Sequence, residues 1–185
     1  MVVMLNMQKK ILITGANGFI GSNIISELMA SNTPVIAMTR EKSSIDYLKS
    51  IKCYNIIQTD NYLDPIVIRK LSMSKPEYIV HCAWANNQLQ DTKNLINILE
   101  LSKNINCKGF ITVGSFEEYG VLGNNLSEET ICAPKNSYGR SKQAFYMLTK
   151  EICSSLDIKH IHLRLGILYS SKKDSNFYFN DVIKR

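Results

Sequence analysis

The chain has no apolar run long enough to cross a membrane. Its longest, residues 10–13 and the stretch 158–168, are short or broken by charge, whereas a spanning helix needs ~20 consecutive apolar residues. Residues 1–7 are too short for a secretory apolar region and carry no cleavage-site pattern; Met7 serves as well as Met1 for a start. There is no C-x-x-C. The five cysteines (Cys53, Cys82, Cys107, Cys132 and Cys153) are odd in number and widely spaced. That argues against a disulfide framework or zinc site and for reduced thiols packed as small apolar groups in a cytoplasmic protein. The three histidines, His81, His160 and His162, have no Asp, Glu or Cys grouping that completes a site with them, so they read as core or edge packing rather than as a triad or metal set.

Charge of one sign is not concentrated either. The net charge is +6, but the lysines stand singly or in pairs, without a stripe of interleaved aromatics. A solvated basic surface is expected rather than a nucleic-acid groove, and such a surface also tolerates a polyphosphate ligand. No repeat, low-complexity tract or Pro/Gly linker divides the 185 residues, which suffice for one domain with a hydrophobic core.

What is present is an alternation of short apolar runs with longer amphipathic stretches. Strands are expected over residues 10–14, 34–38, 54–58, 78–82, 110–113 and 158–165. Helices are expected over 19–31, 43–50, 64–72, 92–104 and 137–155. Continuously apolar strands need cover on both faces, and strict strand–helix alternation implies right-handed crossovers. The expected class is α/β, a doubly wound parallel sheet.

Directly after the first strand stands Thr14-Gly15-Ala16-Asn17-Gly18-Phe19-Ile20-Gly21. Glycines at 15, 18 and 21 suit a sharp turn, a close approach to pyrophosphate, and tight packing of the first helix on the sheet. The N-terminus of that helix offers free N–H groups to phosphate. No Gly-Lys-Ser/Thr follows, which excludes a P-loop. The second strand runs into Thr39-Arg40 with no acidic residue to hold two ribose hydroxyls. Arg40 suits a 2′-phosphate instead, so NADP(H) is favoured over NAD(H); a solvent-facing loop arginine is the alternative.

Tyr138-Gly139-Arg140-Ser141-Lys142 places a phenol and an ammonium one helical turn apart on one face. A nearby ammonium together with an oxidised nicotinamide stabilises the phenolate and lowers a phenol's pKa from its usual ~10. Tyr138 can then exchange a proton with a sugar oxygen while hydride moves to or from nicotinamide.

Together these strings resemble the extended branch of the short-chain dehydrogenase/reductase superfamily, the NAD(P)-dependent epimerase/dehydratase enzymes of nucleotide sugars. The resemblance implies a Rossmann-type sheet of order 3-2-1-4-5-6. It implies that Asn17, Phe19 and Ile20 join the glycines at the cofactor, that Asp60 receives the adenine amino group, and that Ala83 and Ala85 line the cofactor trough. His81-Cys82-Ala83-Trp84 is a variant associated with nucleotide-sugar ketoreductases; plain packing of Trp84 is the alternative. In Gly114-Ser115-Phe116-Glu117-Glu118-Tyr119-Gly120, Ser115 matches the residue that hydrogen-bonds the reacting oxygen. Glu117 stands where dehydratases and some epimerases carry an acid/base carboxylate, or is a solvated loop residue. Phe116 breaks the tandem Asp-Glu of dehydratases, which favours keto reduction or epimerisation at the sugar C4, in surface-polysaccharide sugar synthesis. The resemblance covers Lys10 to Tyr169, with residues 1–8 an extension and 170–185 the start of a substrate region. Family members continue well beyond, so a truncated chain is expected, with little turnover on its own. A non-catalytic cofactor-binding fragment is the alternative. The family often dimerises through helices equivalent to 92–104 and 137–155, which makes a homodimer a further expectation.

Overall fold

A computed structural model describes residues 9–120 and 126–168. The extension 1–8 and the segment 170–185 of the sequence reading lie outside them. The elements run β1 (Ile11–Thr14), α1 (Phe19–Ala30), β2 (Val35–Thr39), α2 (Asp46–Ser50), β3 (Ile56–Gln58), α3 (Pro65–Ser74), β4 (Tyr78–His81), α4 (Gln88–Asn104), β5 (Gly109–Ser115), a 3₁₀ turn (Phe116–Glu118), α5 (Ser137–Ser155) and β6 (Lys159–Leu165). All strand pairs are parallel, and the sheet order is β3-β2-β1-β4-β5-β6. This is the expected Rossmann order.

The sheet separates two cores. Ile13, Ala37 and Val80 pack with Ile25 of α1 and Leu48 of α2 on one face. Leu12, Ile36, Ile79 and Phe110 pack with α3, α4 and α5 residues on the other. The central strands are therefore apolar on both sides, as β2 shows with all five residues buried. β6 differs: His160, His162 and Arg164 alternate with Ile161 and Leu163, which are exposed.

Local signals set the helix ends. Asp64 accepts hydrogen bonds from the N–H groups of Ile66 and Val67, with Pro65 opening α3. Asn136 caps α5 through Gly139 N at 2.7 Å. α4 starts at Gln88, four residues before the expected Thr92, because Asn87 caps it through Gln90 N. Its added turn carries no apolar stripe. It is anchored by Asp91, a carboxylate only 3% exposed.

Candidate active site

The parallel strands end at one edge, where a doubly wound sheet binds its ligands. β1 gives way to the glycine loop. Gly15 has φ +64°, and a Cβ there would stand 2.7 Å from Ala83 N. Only glycine accepts both the left-handed backbone and that approach. A Cβ on Gly21 would collide with the Gly15 carbonyl, so the missing side chain lets α1 start against the loop. Gly18 caps α1 with no side-chain hydrogen bond. Asn17 donates to the carbonyl of Ser44 and ties the loop to the β2–α2 connection.

A cavity of about 350 Å³ opens over this loop, lined by Gly15, Asn17, Gly18, Arg40 and Ala85 among others. Asp60 is exposed just after β3 and stands outside the lining, which its neighbour Thr59 joins. Phe19 begins α1, and Ile20 turns to a second cavity of about 680 Å³. The two cavities share Cys82, Ala83 and Trp84 as a common wall. Asp91 holds that wall by accepting from Ala85 N at 2.6 Å and Asn87 N at 3.0 Å.

The larger cavity brings together Ser115, Glu117, Tyr138 and Lys142. Ser115 ends β5 and caps the 3₁₀ turn, its hydroxyl accepting from Glu117 N at 3.2 Å. Lys142 is buried, with Nζ donating to Val113 O at 3.1 Å and lying 3.7 Å from the centre of the Trp84 ring. Trp84 also meets Tyr138 and Phe145 edge-on, with ring centres 6.0 and 5.2 Å away. Its buried Nε1 has no hydrogen-bond partner among the described residues. Glu117 accepts from Asn136 Nδ2 at 2.7 Å, so it fastens the start of α5 to the turn as well as lining the cavity.

Two pKa directions define the chemistry. Burial pulls Lys142 down from 10.5 to about 8, while Glu118 and Asp91 oppose the fall. Tyr138 lies above its ordinary value, mainly through burial, against a hydrogen bond with Ser115. Among the protein's own groups the balance thus lies above the ordinary value; the lowering expected from Lys142 together with an oxidised nicotinamide belongs to the cofactor-bound site. Lys142 turns its charge to Val113 O and the Trp84 face, 5.8 Å from the Tyr138 ring centre.

Sequence reasoning missed two residues. Asp91 lies one residue before the helix expected from 92 and carries no motif of its own. Glu118 looked like a twin of Glu117, yet it is fully buried and paired with His162 and Arg164. The available signal was the polar stripe 160, 162, 164 on β6, which needed a buried partner.

The residues fit a dinucleotide in three respects. Gly15, Gly18 and Gly21 keep Cβ atoms out of the turn and the helix start, the Gly18 cap of α1 carries no side-chain hydrogen bond, and the Trp84 N–H, orphaned among the described residues, stands at the cavity junction.

Known proteins agree with this architecture. The chain is 24% identical to dTDP-6-deoxy-L-talose 4-dehydrogenase (NAD(+)) of Aggregatibacter actinomycetemcomitans over 94% of its length and 67% of that protein. It is 26% identical to CDP-abequose synthase of Salmonella muenchen over 98% of its length, covering 61% of that protein. UDP-glucose 4-epimerase of Thermus thermophilus, solved as a complex with NAD, superposes with a TM-score of 0.77 at 21% identity, over 95% of this chain and 60% of that one. The chain thus spans about three fifths to two thirds of these relatives. Its sequence matches the family model over residues 11–185, and the chain belongs to the NAD dependent epimerase/dehydratase family.

Proposed function

We propose that this chain carries the cofactor-binding and proton-transfer half of a nucleotide-sugar enzyme that moves hydride at the sugar C4, as a 4-keto-6-deoxyhexose reductase or a 4-epimerase of surface-polysaccharide precursors. The observation that carries the reading is the convergence of Ser115, Tyr138 and Lys142 in one cavity that meets the glycine-loop cavity at Trp84.

Gly15, Asn17, Gly18 and the first turn of α1 would hold the pyrophosphate, and Ala83, Trp84 and Ala85 the trough beyond it. Asp60 is assigned to the adenine edge, beside Thr59. The nicotinamide group, when bound, supplies or accepts the hydride. Ser115 Oγ holds the sugar oxygen, and Tyr138 Oη gives or takes its proton. Lys142 Nζ is placed to hold ribose hydroxyls and to favour the phenolate once it faces Tyr138. Glu117 is the acid/base carboxylate for an elimination or an epimerisation, and its tie to Asn136 gives it a structural role as well.

Arg40 on the rim of the smaller cavity, with no acidic residue at 39 or 40, supports NADP(H) over NAD(H). Fluorescence titration with NADPH and NADH tests cofactor use, and binding of neither sinks the reading. Single-turnover oxidation of the bound dinucleotide by a nucleotide 4-keto sugar tests the chemistry. A homodimer through α4 and α5 belongs to the same proposal, supported by exposed Ile96 and Met147 on those helices; sedimentation velocity checks it.

A further inference from the structure

Beside the site lies a buried polar network that the proposed reaction does not use. Glu118 is 0% exposed. Its Oε1 accepts from Ser115 N at 2.7 Å, and its two oxygens lie 3.1 and 3.0 Å from His162 Nε2. Arg164 Nε stands 3.6 Å from Oε2. On the far side of His162, Nδ1 meets Thr112 Oγ1 at 2.7 Å, and His160 Nε2 meets the same oxygen at 2.8 Å.

One assignment of protons satisfies the two histidines, Thr112 and Glu118, and leaves Arg164 Nε without a hydrogen-bond partner among the described residues. His160 Nε2–H donates to Thr112 Oγ1, the Thr112 hydroxyl donates to His162 Nδ1, and His162 Nε2–H donates to Glu118. Both imidazoles are then neutral. Burial agrees for His160, which is pushed down to about 4. In this assignment Glu118 accepts as a carboxylate, with the Arg164 guanidinium beside it as counter-charge. The backbone is adapted to the same end. A Cβ on Gly114 would collide with His162 Nε2 and Glu118 Oε1, so residue 114 must lack one for the pair to form.

We propose that Glu118 is a positioning residue: its buried carboxylate fixes Ser115 through the Ser115 N–H and supplies the negative charge against which Tyr138 and Lys142 work. The inference rests on the roles proposed above for those three residues. Against Glu118 stand His162 and Arg164 from β6 and Ser115 at the end of β5; Tyr138 and Lys142 line the same cavity as Ser115, and they and Cys132 in the loop before α5 feel the charge of this carboxylate. The two helix groups respond in the same sense. A fixed negative charge keeps Tyr138 a phenol and Lys142 an ammonium, the forms needed to donate a proton and to bind ribose. Glu117, one residue away, is partly exposed and tied to Asn136, and acts on Tyr138 more weakly.

The test uses the full chain without cofactor or sugar. Tyrosine labelled with ¹³C at Cζ is titrated by NMR in the wild type, Glu118→Gln and Glu117→Gln, with Tyr138→Phe assigning the resonance. Glu118→Gln is expected to move the Tyr138 titration to lower pH, and Glu117→Gln to move it less. No shift, an upward shift or equal shifts in the two folded variants would overturn the proposal. If Glu118→Gln does not fold, the wild type still decides. The Ser115 amide proton is expected far downfield and among the slowest to exchange, and an ordinary shift with loop-like exchange overturns the proposal. Because no dinucleotide is present, failure here is distinct from failure of the hydride-transfer reading.

Discussion

The two cavities at the sheet edge are made in opposite ways. Around β1 and β2 the chain works by subtraction: Gly15 and Gly21 remove side chains, and the first turn of α1 is left uncapped. Around β5, β6 and α5 it works by burial of charge, with Glu118 and Lys142 both buried and Asp91 of α4 buried in the same cavity wall. The first construction recognises a ligand by backbone and shape, and little of it titrates. The second stores electrostatic work in side chains, so it is sensitive to pH and destabilising to the fold.

Breaking the second half at its reacting atom has the largest expected effect. Tyr138→Phe should slow hydride transfer about a thousandfold, as loss of a general acid/base does, with dinucleotide binding intact in a fluorescence titration. Next comes the cost of buried charge. A fall from 10.5 to about 8 for Lys142 corresponds to roughly 3 kcal/mol lost from the fold while the folded group stays charged. The folded state binds this proton more weakly than the unfolded one. The loss is therefore complete below about pH 8, shrinks as pH rises towards 10.5 and vanishes above it. Lys142→Met should raise the denaturation midpoint at pH 7, with the gap to wild type closing over that window, even as it abolishes turnover. A constant gap across the window would show that Lys142 carries no such charge penalty.

Gly15→Ala tests the other half. The Cβ would meet the Ala83 backbone in a left-handed conformation, so about 2 kcal/mol of stability is expected to be lost. Dinucleotide binding should go with it, and its pH dependence should match wild type. The smallest effect sharpens rather than breaks the contrast: Arg40→Asp should cut the NADPH-to-NADH affinity ratio about tenfold, measured by paired fluorescence titrations.

The sheet and the glycine loop were legible because their signals are local. Continuous apolar runs, a glycine triplet after a strand, and Tyr138 and Lys142 four apart each lie within a few residues. The pattern itself reached only the α/β class; the strand order came with the family resemblance. The start of α4 was not legible, because its first turn is held by a cap and a buried carboxylate instead of an apolar face. The choice between Glu117 and Glu118 was equally hidden. Adjacent residues of the same type differ only in which way the turn points them, and the partners that decide it, His162 and Arg164, arrive more than forty positions later on β6. The spacing showed Lys142 near Tyr138 but not that its ammonium already faces Val113 O and the Trp84 ring.

Asp91 has a consequence for how a ligand can enter. Both its oxygens are committed to loop N–H groups, so swinging the Ala83–Asn87 segment aside would strand a buried anion, which typically costs several kcal/mol. The partition between the cavities is thus closer to a fixed gauge than to a hinged door. A ligand spanning both must thread it at its set width, with that wall already ordered at folding and no further ordering required on binding.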